Sequence, residues 1–179
     1  IVRFCGLVLS ATYHDVLKDR LYTLAPNDPL RRSSQTAIEI ICGVLVRVVG
    51  PITPFTADEA WAHYLQGEDF ADEALCLQPW PKPDVSWYDE EVVAEIQAIF
   101  DFKANVLNEK LEELRTRKEI GQSLDAEVEI RGTPADDTFA ILSKREAELP
   151  ELFIVSSVVL VDDPSGDLAV EARHAPGVR

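Results

Sequence analysis

Apolar residues recur at helical spacing along most of the first 120 positions of the chain. An apolar residue at every third or fourth position is typical of a helix that packs one face against a core. The first predicted helix is followed by Pro26 and Pro29, which mark the loop that ends it. Its apolar stripe consists of Phe4, Leu7, Ala11, Leu17 and Leu21.

A second helix is predicted from Pro29 to about Val49. Asp28 can cap its first N–H groups, and a proline at the first helical position lacks an N–H that is not needed there. Gly50 and Pro51 are expected to end this helix. Its apolar stripe consists of Ala37, Ile38, Ile41, Val44, Leu45 and Val48.

A third, shorter helix is predicted to begin at Thr56, where Glu59 stands three residues later and completes a capping box. Gly67 is expected to end it, and Trp61 and Leu65 are expected to pack inward. Residues 68–86 are acidic and rich in proline, which predicts an ordered connecting segment.

A long helix is then predicted to reach about Glu119, with Ser86 and Asp89 as its cap and Gly121 at its C-terminal stop. Because it is the longest of the predicted helices, it supplies the largest apolar stripe. This stripe consists of Val92, Ile96, Ile99, Phe100, Val106, Leu107, Leu111 and Leu114.

Beyond Gly121 the apolar period changes from helical to alternating. Residues 126–131 alternate apolar and charged side chains, which predicts a half-buried strand. A short helix at 135–149 and strands at 152–162 and 168–175 follow, the strands joined by a Pro-Ser-Gly turn. The predicted fold class is mainly α: a helical bundle at residues 1–119, followed by a small α+β appendage at 120–179.

The composition is that of a globular protein, with 179 residues of which 46% are hydrophobic. No apolar run approaches the roughly 20 residues that a membrane span needs, so a cytoplasmic location and no membrane partner are expected. Cys5, Cys42 and Cys76 are widely spaced and are expected to be reduced and mostly buried, and no metal site is predicted. The chain contains no methionine, even at position 1, which suggests a fragment.

The net charge of −15 argues against nucleic-acid binding by most of the chain, because phosphates attract Lys and Arg. The charge is unevenly distributed: it is +2 over residues 1–50, −10 over residues 51–100 and −7 over residues 101–179. A basic face is therefore expected only within the first fifty residues.

One basic group near the start of the second helix is a candidate phosphate or base site. Arg31, Arg32 and Gln35 offer guanidinium and amide donors beside the positive end of a helix dipole. Lys18, Arg20 and Arg47 would join them if the first two helices are antiparallel neighbours. The alternative is that Arg31 and Arg32 form ordinary surface ion pairs. The acidic residues that could pair with them are Asp28, Glu39 and Asp19.

Motifs for catalysis are not found in the sequence. It contains no Gly-rich phosphate loop, no nucleophile elbow and no HExxH, and no HIGH-like or KMSKS-like string. Acid pairs such as Glu90 with Glu91 are more typical of a solvated face in so acidic a chain. No catalytic residue is expected.

Four strings in a fixed order resemble the anticodon-binding region of bacterial isoleucyl-tRNA synthetases. They are YHDVLKDRLYT (13–23), RRSSQT (31–36), PITPFTADEAW (51–61) and IGQSLDAEV (120–128). The third is also similar to a string of the valyl and leucyl enzymes, so it supports the superfamily. The segment LNEKLEELRTRKEIGQSLDAEV, from Leu107, favours the isoleucyl enzymes.

The resemblance implies a helical bundle that cradles the tRNA anticodon stem-loop, with Arg31, Arg32 and Gln35 at matching positions. The implied partners are tRNA(Ile) and the remaining catalytic and editing domains of the same polypeptide. The parent enzyme would use ATP, Mg and Zn, whereas this region would hold no cofactor and no metal and would be inactive alone. The family's zinc module, with its paired CxxC motifs, would follow the last residue of this chain.

Three alternatives remain open at this point. The chain resembles the equivalent region of valyl- or leucyl-tRNA synthetases in part. A non-enzymatic helical module whose acidic surface binds a basic protein is also compatible with the charge. A small acidic enzyme would need a convergent acid, base and nucleophile, which the sequence does not show.

Overall fold

The computed structural model describes residues 1–64, 74–163 and 166–177. They form two compact units, which we call the inserted unit (Leu17–Tyr88) and the discontinuous unit (Ile1–Val16 with Asp89–Arg179). The described part is mostly helical with a three-stranded sheet, so the predicted fold class is confirmed. The predicted boundary at 119/120 separates helices from strands and not the two compact units, and as a domain boundary it stays a prediction.

The first helical segment lacks the apolar face that a 3.6-residue period predicts. Phe4–His14 is π-helical, and Asp15–Tyr22 (α1) continues it as an α-helix. Because π-helical i→i+5 bonding puts more residues into each turn, the residues that share a face differ from those of an α-helix. Leu9 is accordingly buried, although it lies outside the predicted stripe. The exposed members of that stripe are Phe4, Leu7 and Ala11.

The second helix, Pro29–Val49 (α2), begins and ends where predicted. Asp28 is its N-cap, with Oδ1 accepting the N–H of Leu30 at 2.9 Å. The six predicted stripe residues are only half buried, and the fully buried positions are Ser34, Gly43 and Val46. Gly43 allows the Tyr64 side chain to approach α2 closely, because a Cβ added there would lie 2.8 Å from the hydroxyl oxygen of Tyr64.

The third helix, Pro54–Tyr64 (α3), begins two residues earlier than predicted. The N–H of Ala57 donates to the carbonyl oxygen of Thr53 at 2.9 Å, so Thr56 already lies inside the helix. The predicted capping box at Thr56 is therefore wrong. Proline opens the helix instead, since its missing N–H and fixed φ suit the first turn.

The inserted unit has a small apolar core. Its buried members are Val46, Ala57, Trp61 and Leu75. Asp58 Oδ1 accepts the N–H of Leu75 at 2.9 Å and so holds the 3₁₀ turn Leu75–Leu77 against α3. The inward position of Trp61 is confirmed, whereas Leu65 and Gly67 lie outside the described residues. A second 3₁₀ turn of this unit is Val85–Trp87.

The predicted long helix is contiguous from Glu90 to Thr116 and contains a π-helical turn. Its segments are Glu90–Phe102 (α4), the π-helical turn Lys103–Leu107 and Asn108–Thr116 (α5). Asp89 is the N-cap, since its Oδ1 accepts the N–H of Val92 at 3.1 Å. Ser86, which was predicted to share this role, instead donates its hydroxyl to Asp84 at 2.6 Å.

Helix α5 ends earlier than Gly121, the residue predicted to stop it. Lys118 has a φ of 59°, and the N–H of Glu119 donates to the carbonyl oxygen of Leu114 at 3.0 Å. This is the hydrogen-bond pattern of a left-handed helix end, here with a lysine where glycine is usual. Gly121 follows the helix, and its N–H donates to Asp125 Oδ2 at 3.0 Å.

The sheet has strand order β2-β1-β3. Its strands are Ala126–Gly132 (β1), Ser157–Asp162 (β2) and Ala169–His174 (β3). The central strand β1 runs parallel to β2 and antiparallel to β3. Ala126, Val128 and Ile130 are fully buried, which confirms the predicted alternation. Two residues of the predicted Pro-Ser-Gly turn lie outside the described residues.

Helical structure occupies the first part of the region that was predicted as the second strand. The segments between β1 and β2 are Asp137–Lys144 (α6), the 3₁₀ turn Glu146–Glu148 and Leu149–Phe153 (α7). The left-handed Ile154, with a φ of 60°, ends α7, and the N–H of Val155 donates to the carbonyl oxygen of Pro150 at 2.9 Å. The strand predicted from Leu152 therefore begins only at Ser157.

A buried carboxylate ties α4 to α6 within the discontinuous unit. Glu95 is 7% exposed, and Arg145 Nη2 lies 2.7 Å from its Oε2, while Lys144 Nζ donates to its Oε1. The hydrogen bonds from Lys144 and then Arg145 lower the pKa of Glu95 below its ordinary value. The ionised form of Glu95 is thus favoured by folding.

We expect the free energy of unfolding to fall as the pH is lowered through the pKa of Glu95. Because folding lowers this pKa, the contribution of the carboxylate is present above the ordinary value of 4.5 and is lost as the pH drops through the lower folded value. Urea unfolding of the wild type and of Glu95→Gln, at about pH 6 and about pH 3.5, measures this contribution. Glu95→Gln should be the less stable protein at the higher pH and should show the weaker pH dependence. The exposed Glu109→Gln is the control, and an unchanged pH dependence in Glu95→Gln would contradict the assignment.

Candidate nucleic-acid interface

Arg31 connects the first turn of α2 to the segment that precedes it. Its Nη1 donates to the carbonyl oxygen of Leu24 at 2.7 Å, and its Nε is buried with no hydrogen-bond partner in the described part of the chain. Asp28 uses its carboxylate on backbone N–H groups, so the ion pair considered between these two residues is not observed. Arg31 is half buried, and its hydrogen bond to Leu24 links α2 to the preceding segment.

Arg32 and Gln35 are the accessible members of the predicted group. Both side chains are exposed, and neither has a hydrogen bond or ion pair within residues 1–64, 74–163 and 166–177. They stand three residues apart and so lie on the same face of α2. They therefore present a cation and an amide near the positive end of the helix dipole.

The other three predicted residues do not all belong to this group. Lys18 is exposed and Arg20 is half buried on α1, and each has an interaction of its own. Arg47 stands sixteen residues after Arg31 on the same helix, which places their Cα atoms about 24 Å apart. The expectation that Arg47 joins the group at Arg31 is therefore wrong.

Arg47 belongs to a different environment at the C-terminal end of α2. Its Nε donates to the carbonyl oxygen of Gly43 at 2.9 Å, and its Cζ lies 6.0 Å from the ring centroid of Trp61. Trp61 in turn stacks on Tyr64 with ring centroids 5.3 Å apart. Arg47 is thus fixed by the core of the inserted unit, and both of its Nη atoms lack hydrogen-bond partners among the described residues.

Beside Arg47 lies an open pocket of about 550 Å³ that the sequence did not predict. Two aromatic side chains line it, Phe55 at 90% exposure and Trp80 at 62%. Residues 68–86, which include Trp80, were predicted only as an ordered connecting segment, and no role was predicted for Phe55. The sequence did contain one indication that these rings are exposed. Both adjoin prolines, in PITPF and PWP, and neither belongs to a regular apolar period.

Three further properties bear on function. Within the described residues no three His, Cys, Asp or Glu side chains are grouped so that they could hold a metal ion, and no helix has the length and apolar character to cross a membrane. Cys42 and Cys76 are exposed free thiols, so the prediction that the cysteines are mostly buried is wrong.

The comparisons with known proteins agree on one family. Residues 1–130 match the family described as the anticodon-binding domain of tRNA ligase. The chain is 38% identical to the isoleucine–tRNA ligase of Thermotoga petrophila, over 99% of this chain and 19% of that protein. It is 40% identical to the isoleucine–tRNA ligase of Brachyspira hyodysenteriae, over 90% of this chain and 17% of that protein.

The chain spans about a fifth of the length of these curated relatives. A third relative, the isoleucine–tRNA ligase of Moorella thermoacetica, is 37% identical over the whole of this chain and 19% of its own length. The matching residues include the helices α1 to α5. The chain therefore belongs to the family of anticodon-binding domains of tRNA ligases.

Proposed function

We propose that this chain is the tRNA-binding region of an isoleucyl-tRNA synthetase, which binds the anticodon stem-loop of tRNA(Ile). Its role is to position the tRNA while the catalytic and editing domains of the same polypeptide carry out ATP-dependent aminoacylation. The named relatives, which are isoleucine–tRNA ligases, favour this proposal over a valyl or leucyl enzyme. We further propose a cytoplasmic location, with the ATP, Mg and Zn of the reaction held outside this region.

The observation that carries the proposal is the exposed pair of Arg32 and Gln35 in an otherwise acidic protein. The net charge is −15, yet these two side chains stand free of acidic partners within the described ranges. An arginine fork and an amide are suited to phosphate oxygens and to the edges of unpaired bases. Arg31 supports them because its hydrogen bond to Leu24 fixes the backbone from which they project.

This division of roles predicts different effects of the two arginines. Arg32→Ala should weaken binding of a tRNA(Ile) transcript, and the slope of log Kd against log salt concentration should fall by about 1 if one phosphate contact is lost. Its unfolding midpoint should stay unchanged. Arg31→Ala should weaken binding and also lower the unfolding midpoint, because it removes the hydrogen bond to Leu24. Filter binding over a series of salt concentrations and thermal unfolding measure the two effects.

Arg117→Ala is the matched control, since it removes the same charge from an exposed position beside Glu113. It should leave both affinity and salt slope as in the wild type. A tRNA(Met) transcript tests specificity, and the proposal requires weaker binding of this tRNA. Equal binding of both tRNAs, with no effect of Arg32→Ala, would contradict the proposed interface.

A further inference from the structure

The pocket at the C-terminal end of α2 combines groups that suit an unpaired nucleobase. Phe55 and Trp80 expose their rings at its edge, and Arg47 supplies free guanidinium N–H donors. Asp58 adds a carboxylate whose Oδ1 accepts the N–H of Leu75, while its Oδ2 has no partner among the described residues. Aromatic faces bind bases of any sequence by stacking, and the polar groups can pair with a base edge.

The pocket is built by ordered parts of the inserted unit. Two contacts hold the Arg47 side chain. Its Cζ lies 6.0 Å from the ring centroid of Trp61, and its Nε donates to the carbonyl oxygen of Gly43 at 2.9 Å. The Asp58 hydrogen bond holds the turn Leu75–Leu77 against α3, and this turn leads to Trp80. The backbone of Phe55 lies in the first turn of α3. Because the Arg47 side chain is already held in place, it loses little side-chain entropy when a ligand binds.

Nothing in the described part of this unit explains structurally why both rings are exposed. At 90% and 62% exposure, Phe55 and Trp80 contribute little to the core formed by Val46, Ala57, Trp61 and Leu75. Exposed aromatic rings next to an arginine are characteristic of surfaces that bind single-stranded nucleic acid. From this geometry we infer that the pocket is a second RNA contact, which accepts one unstacked base between Phe55, Trp80 and Arg47.

The inference rests on the proposed tRNA-binding function and extends it to a second place on α2. The Arg32 and Gln35 face lies near the start of this helix and the pocket near its end, so different parts of one RNA would contact them. Phosphate contacts are expected to dominate at the first place, where the accessible groups are polar. Stacking is expected to dominate at the second, because its lining is mainly apolar.

The test uses the full chain with a hairpin of the tRNA(Ile) anticodon stem and loop. One loop base at a time is replaced by 2-aminopurine, whose emission depends on how it is stacked. In the wild type, emission at one loop position should change on binding. The double variant Phe55→Ala/Trp80→Ala should lose this change and bind the unlabelled hairpin at least about fivefold more weakly.

Trp87→Ala is the matched control, since Trp87 is 67% exposed and does not line the pocket. It should bind as the wild type does. If the alanine double variant fails to fold, Phe55→Leu/Trp80→Leu keeps apolar bulk, removes the stacking rings and should show the same loss. Wild-type affinity and emission changes in these variants, with Arg32→Ala still impaired, would overturn the inference and leave the proposed function standing. Failure of every protein to bind the hairpin and the full tRNA would overturn both.

Discussion

Replacing Phe153 by alanine is expected to lower the free energy of unfolding of the discontinuous unit by about 3–5 kcal/mol. Phe153 is 1% exposed, and its ring centroid lies 5.9 Å from that of Phe102. The ring also belongs to the last residue of α7, so its loss removes the main apolar anchor of a helix of five residues. A helix this short depends on tertiary packing for its stability.

Urea unfolding followed by far-UV circular dichroism measures this loss. The matched control is Phe55→Ala, which removes the same ring from a position that is 90% exposed and should change stability by less than about 0.5 kcal/mol. Phe153→Leu should fall between the two, because it keeps part of the buried volume. A loss of less than about 1 kcal/mol in Phe153→Ala would show that the core closes around the missing ring.

Replacing Trp61 by alanine is expected to destabilise the inserted unit by about 3–5 kcal/mol. Trp61 is the largest of the four buried residues in this small core, and it also contacts Tyr64 and the guanidinium of Arg47. Its indole N–H is buried without an acceptor in the described part of the chain, so the indole nitrogen itself adds no hydrogen bond. Trp61→Phe should therefore cost less than half as much as Trp61→Ala, since the ring contacts matter more than the N–H.

The remaining tryptophans, Trp80 and Trp87, are 62% and 67% exposed in the folded protein, so urea unfolding of both variants is followed by far-UV circular dichroism and not by fluorescence. Trp87→Ala is the control for loss of an exposed indole. Equal destabilisation by alanine and phenylalanine would contradict the prediction, because it would mean that the N–H, and not the ring, provides the stability.

Local sequence signals predicted the elements whose boundaries depend on adjacent residues. Helix α2 was predicted from Asp28 and Pro29, whose roles are to cap and to start a helix within a single turn. Strand β1 was predicted from alternation, because one of its faces is buried against the core. The cap at Asp89 was likewise predicted from the residue type and its place before an apolar stripe.

Apolar runs without a clear period were harder to interpret. Residues 152–156 are mostly apolar, and such a run is compatible with a strand or a buried helix. Pro150 lies in the first turn of α7 and was an unused indication of a helix start. The left-handed Ile154 had no sequence indication, since glycine or asparagine is usual where φ is positive.

The sequence predicted which kinds of residue form the candidate site, but it did not predict how they are arranged in space. Arg31, Arg32 and Gln35 were identified as a group, yet the structure makes Arg31 a structural link and leaves the other two accessible. Arg47 was grouped with them, although the length of α2 places it at the opposite end. Phe55 and Trp80 were missed because they are 25 residues apart in the chain and meet only at a folded pocket.

The sequence by itself determined the helical class, the start and end of α2, the alternation of β1 and the uneven distribution of charge. These follow from capping, period and composition, which act over a few residues. The tertiary structure alone decided that β1 lies between β2 and β3, that Ile1–Val16 belongs with the residues after Asp89, and that Arg47 adjoins two aromatic rings. These depend on contacts between residues far apart in the chain, whose partners are chosen by packing and not by local pattern.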